Sequence, residues 1–311
     1  MLTPIDMPPE WIELALDYRC NLRCLGCRAC AGGGESLSGG EIRALLQGAR
    51  HRRIPNLWIG GGEPTLREDL LQVIATGKRL GFERVLLQTN GMRLAYPSYV
   101  DALVSAGVTD VSLNVKSHRA EVHDALSRHD GAHALLLRAL EQLARTSVRR
   151  AADVLVTRTT APELAEVVRL FAGLGVSRFT LWLLSAADAG NVGDSDDDEV
   201  AREVPRIADL HGFLRDAALA ADAAKVELVS LHTPPCTLPS DLRPRWLGAR
   251  ALRLEVVDPS GRAFPLDTSP FEGSVHAPCA ACSLHARCAG PRADYVRLHG
   301  DSEIVPIVAA R

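Results

Sequence analysis

Eight cysteines stand out in this 311-residue chain, and they are unevenly placed. Cys20, Cys24, Cys27 and Cys30 lie near the N-terminus, and Cys236, Cys279, Cys282 and Cys288 near the C-terminus, with none between. Cysteines that merely fill a core would be scattered, so both groups read as ligand sets. The first runs Cys20-Asn-Leu-Arg-Cys24-Leu-Gly-Cys27. Three thiolates on a four-iron cube leave one iron open to a Lewis-basic ligand, as catalytic metal sites keep a vacant position. A structural zinc would want a fourth ligand, and Cys30 is the candidate, so zinc stands as the alternative on spacing alone. The second group is Cys279-Ala-Ala-Cys282, then Cys288, with Cys236 upstream. Four thiolates complete either a zinc site or a [4Fe–4S] cluster, and their spacing does not separate the two.

The elements that must position these thiols form an alternating series. Strand-like apolar runs occur at residues 11–16, 56–59, 84–88, 110–115, 152–157 and 178–184, with helical periodicity between them. Ser38 followed by Glu41 marks a helix start, and Gly81, Gly107 and Gly175 mark helix ends. Strand–helix units in series predict an α/β fold with a parallel sheet and helices outside. They are too few for an eight-stranded barrel, so a (βα)6 partial TIM-type barrel or an open doubly wound sheet is expected. Either binds ligands at the C-terminal ends of the strands, where the first cysteine loop begins. Residues 186–201 carry Asp194, Asp196, Asp197, Asp198 and Glu199 and read as a solvated acidic loop rather than a metal site. A helix at 205–224 and a strand at 226–231 follow. Prolines then become frequent, which divides the chain into 1–231 and a small cysteine-rich unit, 232–311. In the latter, strand patterns at 252–257 and 262–266 flank Asp258-Pro-Ser-Gly261, a hairpin turn signal.

Composition bounds the partners. Hydrophobic residues make up 47% and charged residues 23%, as in a soluble globular protein, and a net charge of -3 gives no electrostatic case for nucleic acid. The start, Met1-Leu-Thr-Pro, lacks the basic and apolar regions of a signal peptide, and no apolar run is long enough to cross a membrane. A cytoplasmic location is expected.

The second strand ends Gly61-Gly62-Glu63-Pro64, the third ends Gln88-Thr89-Asn90-Gly91, and the fourth reads Val111-Ser-Leu-Asn-Val-Lys-Ser117. With CxxxCxxC after the first strand, this combination resembles the radical S-adenosylmethionine (SAM) superfamily over roughly residues 11–185. The resemblance implies an open-site [4Fe–4S] cluster on Cys20, Cys24 and Cys27. It also implies SAM bound by Gly61, Gly62, Glu63 and Pro64, with Asn90, Ser112 and Asn114 in further cofactor contacts. Glycines let backbone approach a ligand closely, and a carboxylate can bond an ammonium. Arg158, past the fifth strand, is a candidate partner for the cofactor carboxylate. One departure is Gly26, where the family usually has an aromatic residue or histidine near the adenine.

The implied reaction is reductive cleavage of SAM to a 5′-deoxyadenosyl radical, which abstracts hydrogen from the substrate. Weak catalytic candidates are Lys116, at the end of strand four, and Cys30. The tail resembles the family's twitch and SPASM extensions, which implies an auxiliary [4Fe–4S] cluster on Cys236, Cys279, Cys282 and Cys288. Arg292 stands where a full SPASM segment would place its last cysteine, and Leu266 replaces another. Relatives with such tails modify ribosomal peptides or oxidise and rearrange small metabolites, and a peptide is slightly favoured. About ten residues precede the first strand, so a peptide substrate is expected to come with a separate recognition protein. The electron is expected from a flavodoxin- or ferredoxin-type donor. The competing reading of another class is an inactive, zinc-stabilised binding protein.

Overall fold

The computed structural model describes residues 8–27, 34–186, 194–266 and 277–308. Its centre is one nine-stranded sheet. The strands are β1 (Trp11–Ala15), β2 (Asn56–Gly60), β3 (Arg84–Thr89), β4 (Asp110–Val115), β5 (Arg149–Val156), β6 (Arg178–Leu183), β7 (Glu227–Leu231), β8 (Leu254–Val257) and β9 (Ala263–Pro265). Consecutive strands from β1 to β7 are parallel neighbours. Seven strands therefore run in series, because the strand expected at 226–231 joins the edge of β6 as β7. β8 returns to the opposite edge and pairs parallel with β1, and β9 folds back on β8 antiparallel. The turn between them is held by Asp258, whose Oδ1 accepts from the Ser260 and Arg262 amides at 3.0 Å each.

Helices α1 (Gly39–His51), α2 (Leu70–Arg79), α3 (Pro97–Ala106), α4 (Ala120–Ser127), α5 (Ala132–Leu143), α6 (Leu164–Gly173), α7 (Asp194–Glu203) and α8 (Ile207–Ala224) connect the strands, and α9 (Ala293–His299) lies near the C-terminus. α1 opens with the expected capping box of Ser38 and Glu41. The acidic segment expected as a loop forms α7 over residues 194–203, while 187–193 lie outside the described residues. Acidic residues favour a helix N-terminus, and Val200 on the helix and Val204 just past it are buried in the core. None of the described helices is long and apolar enough to cross a membrane.

Strand alternation decides which residues face what. Ile12, Leu14, Leu57, Ile59, Val85, Leu87, Val111, Leu113, Val154 and Leu181 are fully or almost fully buried in the main core. The intervening positions, among them Trp11, Trp58, Arg84, Ser112, Asp153 and Trp182, line a cavity of about 460 Å³ with Glu227 of β7 and Leu254 of β8. Residues from both ends of the sheet meet around that cavity, so the sheet curls about a polar and aromatic lumen rather than a packed hydrophobic one.

The floor of the lumen is clamped at Asp110, which accepts from Arg84 Nη2 on β3 at 2.6 Å and from Arg149 Nε and Nη2 on β5 at 2.6 and 2.7 Å. Burial by itself would raise this carboxyl, but the bonds from Arg149 and Arg84 outweigh it and bring its pKa down to about 2. A carboxyl depressed in the folded state stabilises above its unfolded pKa, and loses that contribution as pH falls from 3.8 to about 2. Asp110→Asn should therefore lose about 2 kcal/mol at neutral pH, and the gap to the unmodified chain should close on acidification. Urea unfolding at a series of pH values measures this; a gap constant down to the acid end would contradict the clamp.

Candidate active site at the strand ends

The end of β2 lies unusually close to the chain that follows β1. Gly62 and Glu63 donate backbone N–H bonds to the Asp17 and Arg19 carbonyls at 2.7 and 2.8 Å. Gly61 has φ +111°, and a Cβ there would stand 2.4 Å from Asp17 O; a Cβ on Gly62 would stand 2.2 Å from Arg19 O. No side chain fits against backbone at such distances. These glycines are needed first for the approach of two chain segments, and the second segment leads directly into Cys20.

Glu63 ties the strand ends together and is 1% exposed. Its Oε1 accepts from Thr65 N at 3.0 Å, Thr65 Oγ1 at 2.5 Å and Thr89 Oγ1 at 2.7 Å, and its Oε2 accepts from Asn90 N at 2.8 Å. Burial pushes this carboxyl upward against the pull of those bonds. Pro64 opens the single 3-10 turn, Pro64–Leu66, that Glu63 caps. Asn90 carries the link onward: its Nδ2 donates to Asn21 Oδ1 at 2.8 Å, while Asn21 Nδ2 contacts Met92 Sδ at 3.4 Å. Asn21, Thr65, Thr89 and Met92 were not singled out from the sequence. Their only signal is adjacency to the motifs.

The cysteine loop is thus held on one side by β2 and β3. On its other side Arg23 N and Leu25 N donate to the Ser127 and Leu126 carbonyls at the end of α4, at 3.3 and 2.9 Å. Cys20, Cys24 and Cys27 are partly exposed and form no disulfide. Burial pushes the Cys20 thiol up to about 11, with the neighbouring Glu63, Cys24 and Cys27 contributing. Ionising such thiols calls for a cation close by. Gly26 has φ +67°, and a Cβ there would meet Leu184 Cδ1 at 2.6 Å. The left-handed turn and the Leu184 side chain leave no room for an aromatic residue, which accounts for the departure at this position. Cys30 lies outside the described residues.

The β4 candidates divide. Asn114 and Lys116 pair through Oδ1 and Nζ. Ser112 lies deeper and donates to Asp153 Oδ2 at 2.7 Å. Arg158 stands apart: it is exposed, and its Nε donates to Arg202 O at the end of α7 at 2.9 Å. A cation there complements the helix C-terminus. Ser185 bonds Asp294 at 3.2 Å. His123 is 2% exposed, and burial, then the Lys116 charge, holds its pKa near 3.

At the other group, Cys236, Cys279, Cys282 and Cys288 line one pocket together with His285. Residues far apart in sequence are brought together there. Burial pushes Cys236 up to about 11, and Cys288, Cys279 and Cys282 add to it. Among the described residues no three His, Cys, Asp or Glu side chains converge closely enough to hold one metal ion; a cube spreads its ligands over separate irons. Arg292 is 2% exposed and donates to the Leu183 and Leu184 carbonyls at 2.8 and 2.5 Å and to Asp294 Oδ2 at 3.0 Å. A buried ion pair, Arg292–Asp294, thus fastens the tail to the end of β6.

Comparisons with known proteins point one way. A family model described as "Radical SAM superfamily" matches residues 17–160. Mycofactocin maturase MftC of Mycolicibacterium smegmatis is 31% identical over 195 residues, 61% of this chain and 48% of MftC. AdoMet-dependent heme synthase of Methanosarcina barkeri is 29% identical over 191 residues, 60% of this chain and 54% of the synthase. The chain spans about half the length of these curated relatives. The crystal structure of Streptococcus suis SuiB bound to its precursor peptide SuiA superposes with a TM-score of 0.69 at 14% identity, covering 91% of this chain and 72% of SuiB. At that identity the likeness speaks for the fold alone.

The tight contact at Gly62 is open to test. Gly62→Ala should destabilise the chain by about 1–3 kcal/mol, because the clash is with backbone. Gly212→Ala, in α8 with nothing within 4 Å of the added carbon, should stabilise by about 0.5–1 kcal/mol. Urea midpoints measure both, and a harmless Gly62→Ala would show that the two segments can part without loss.

Proposed function

The chain belongs to the radical SAM superfamily, and on that premise we propose that it is a radical SAM enzyme modifying a ribosomal peptide. The observation that carries this is the loop of three cysteines gripped between the β2–β3 ends and α4. The donor set fits a [4Fe–4S] cluster with one open iron, so Cys20, Cys24 and Cys27 would hold it. Gly61, Gly62, Glu63, Pro64, Asn90, Ser112 and Asn114 are the residues assigned to SAM. The four tail thiols around one pocket fit a second [4Fe–4S] cluster, and the buried Arg292–Asp294 pair would hold that unit, residues 232–311, against the barrel unit, 1–231.

When bound, the first cluster and SAM supply a 5′-deoxyadenosyl radical that takes a hydrogen atom from the substrate. The chain's own work is placement and exclusion. Glu63 keeps the strand-end backbone in register, and the Asn90–Asn21 bond keeps the cysteine loop over those ends. Lys116 and Asn114 present a cation and an amide at the same end of the sheet. Leu184 fills the space beside Gly26. An external one-electron donor of flavodoxin or ferredoxin type, and a separate peptide-recognition protein, belong to the same proposal.

The peptide reading is supported by a maturase among the curated relatives and by SuiB, which was crystallised with its precursor peptide. The similarity to a heme synthase supports the second reading, a small metabolite as substrate. Anaerobic incubation with a peptide encoded beside the gene, and separately with small metabolites, read by mass spectrometry, decides between them. A mass change on the metabolite alone would overturn the peptide reading.

Anaerobic reconstitution should yield about eight irons and eight sulfides per chain; stoichiometric zinc with little iron would favour an inactive binding protein. Cys24→Ala should abolish formation of 5′-deoxyadenosine while leaving much of the fold. Cys282→Ala should lose about half the iron and most product, yet still cleave some SAM. Iron, 5′-deoxyadenosine and product are to be measured together on monodisperse protein. Full iron with unchanged product would mean that Cys282 is no ligand.

A further inference from the structure

Two acids of the lumen, Asp153 and Glu13, have no basic side chain among their hydrogen-bond partners in the described residues. Asp153 accepts from Ser112 Oγ at 2.7 Å, Gln88 Nε2 at 2.9 Å and Trp182 Nε1 at 3.1 Å. Glu13, on β1, faces the same space, and no hydrogen bond or ion pair within the described residues engages its carboxyl. Burial pushes Glu13 up to about 7, and the charge on Asp153 adds to it.

Gly60 makes room beside Glu13. A Cβ on this residue would stand 2.8 Å from Glu13 Oε1, 3.4 Å from Gln88 Oε1 and 3.6 Å from Trp58 Nε1. Three polar atoms therefore meet in the space that the absent side chain leaves open. Trp58 Nε1 is buried and has no partner among the described residues. The other two atoms, Glu13 Oε1 and Gln88 Oε1, are acceptors. The walls are the Trp58 and Trp182 rings.

Four guanidinium groups line the cavity. Arg84 and Arg149 are bound to Asp110, Arg178 pairs with Glu227 at 3.6 Å, and Arg150 donates to Leu174 O at 3.2 Å. Burial pushes the Asp153 carboxyl up against the bonds from Ser112, Gln88 and Trp182 and the weaker pull of the Arg178 charge. An acceptor-rich, acidic space between indole faces matches an organic cation carrying several N–H donors, since each buried carboxylate needs a counter-charge and indole rings attract cations.

We propose that the barrel lumen binds an alkylammonium or guanidinium group, as borne by a lysine or arginine side chain, between Glu13 and Asp153 and against Trp58 and Trp182. This rests on the reading of the chain as a peptide-modifying enzyme, and it names the kind of side chain presented to the reactive end of the barrel. Glu13 and Asp153 act as specificity residues beneath the cofactor-binding strand ends.

The test needs no turnover. The chain has four tryptophans, and their indole N–H signals can be followed by NMR in protein labelled with 15N-tryptophan, assigned through Trp58→Phe and Trp182→Phe. Trp58 and Trp182 line the lumen, whereas Trp246 stacks with Arg287 and reports on the fold. Titration with n-butylammonium should move the Trp58 and Trp182 signals and leave Trp246 in place. Sodium n-butyrate should move neither. Glu13→Gln should weaken n-butylammonium binding about tenfold or more, as loss of a buried counter-charge does. If Glu13→Gln disturbs the Trp246 signal, Asp153→Asn is scored in its place. Equal response to the cation and the anion, or unchanged affinity in the folded variant, would overturn the inference. SAM cleavage is assayed separately on reconstituted protein. Cleavage without the indole shifts removes only the cation site, and shifts without cleavage remove the enzyme reading while keeping the site.

Discussion

Everything at the reactive end of this barrel depends on how closely residues 60–63 lie against residues 16–19. Leu16 N donates to Gly60 O at 3.1 Å, and the Gly62 and Glu63 amides complete the ladder past the formal end of β1 and β2. The parallel pairing thus runs beyond the strands and delivers the chain to Cys20 in a fixed direction. A side chain on Gly61 or Gly62 would collide with the partner backbone. The family motif therefore has a structural reason that precedes any ligand: it sets where the cysteine loop begins.

Glu63 then converts a local contact into a shared one. Its carboxylate takes donors from the 3-10 turn after β2 and from the end of β3, so the two strand ends cannot move apart. Asn90 passes the constraint to Asn21 inside the cysteine loop. The loop's far side rests on the carbonyls that end α4. A short segment that could not order itself is held from three directions, which gives the rigidity that precise placement of a bound group requires. Below it, the alternation of the strands sends apolar residues to the helices and polar or aromatic ones to the lumen. The barrel is therefore hollow where closed eight-stranded barrels are packed.

The tail shows a different device. Arg292 and Asp294 are both almost wholly buried, and the guanidinium also takes the carbonyls of Leu183 and Leu184. A buried pair of this kind is costly to break, because either partner left alone is an uncompensated charge. Tyr295 extends the attachment: its hydroxyl accepts from Ile207 N at 2.8 Å and donates to Glu303 at 2.6 Å. The tail segment that carries these groups follows directly after Cys288, so the pocket of four thiols is fixed to β6 and α8 by polar bonds.

Much of this was legible in the residues alone. Period-two alternation and glycine-ended helices identified six of the parallel strands and the class of fold, since both patterns are local consequences of backbone geometry. The spacing of the cysteines and the Gly-Gly-Glu-Pro segment pointed to the family for the same reason: short motifs sit on short turns. The acidic stretch misled, because charge reads as solvation until Val200 and Val204 are seen against a core. α4 was not anticipated either, being an eight-residue helix with little periodicity to detect. Other features belong to the tertiary structure: the meeting of Cys236 with thiols more than forty residues on, the return of β8 to β1, the attachment of Arg158 to α7, and the facing of Glu13 and Asp153 across the lumen. Each depends on which strand lies beside which and how far the sheet curls. A sequence records the alternation along one strand, but which side chains meet across a barrel is decided only when the sheet closes around them.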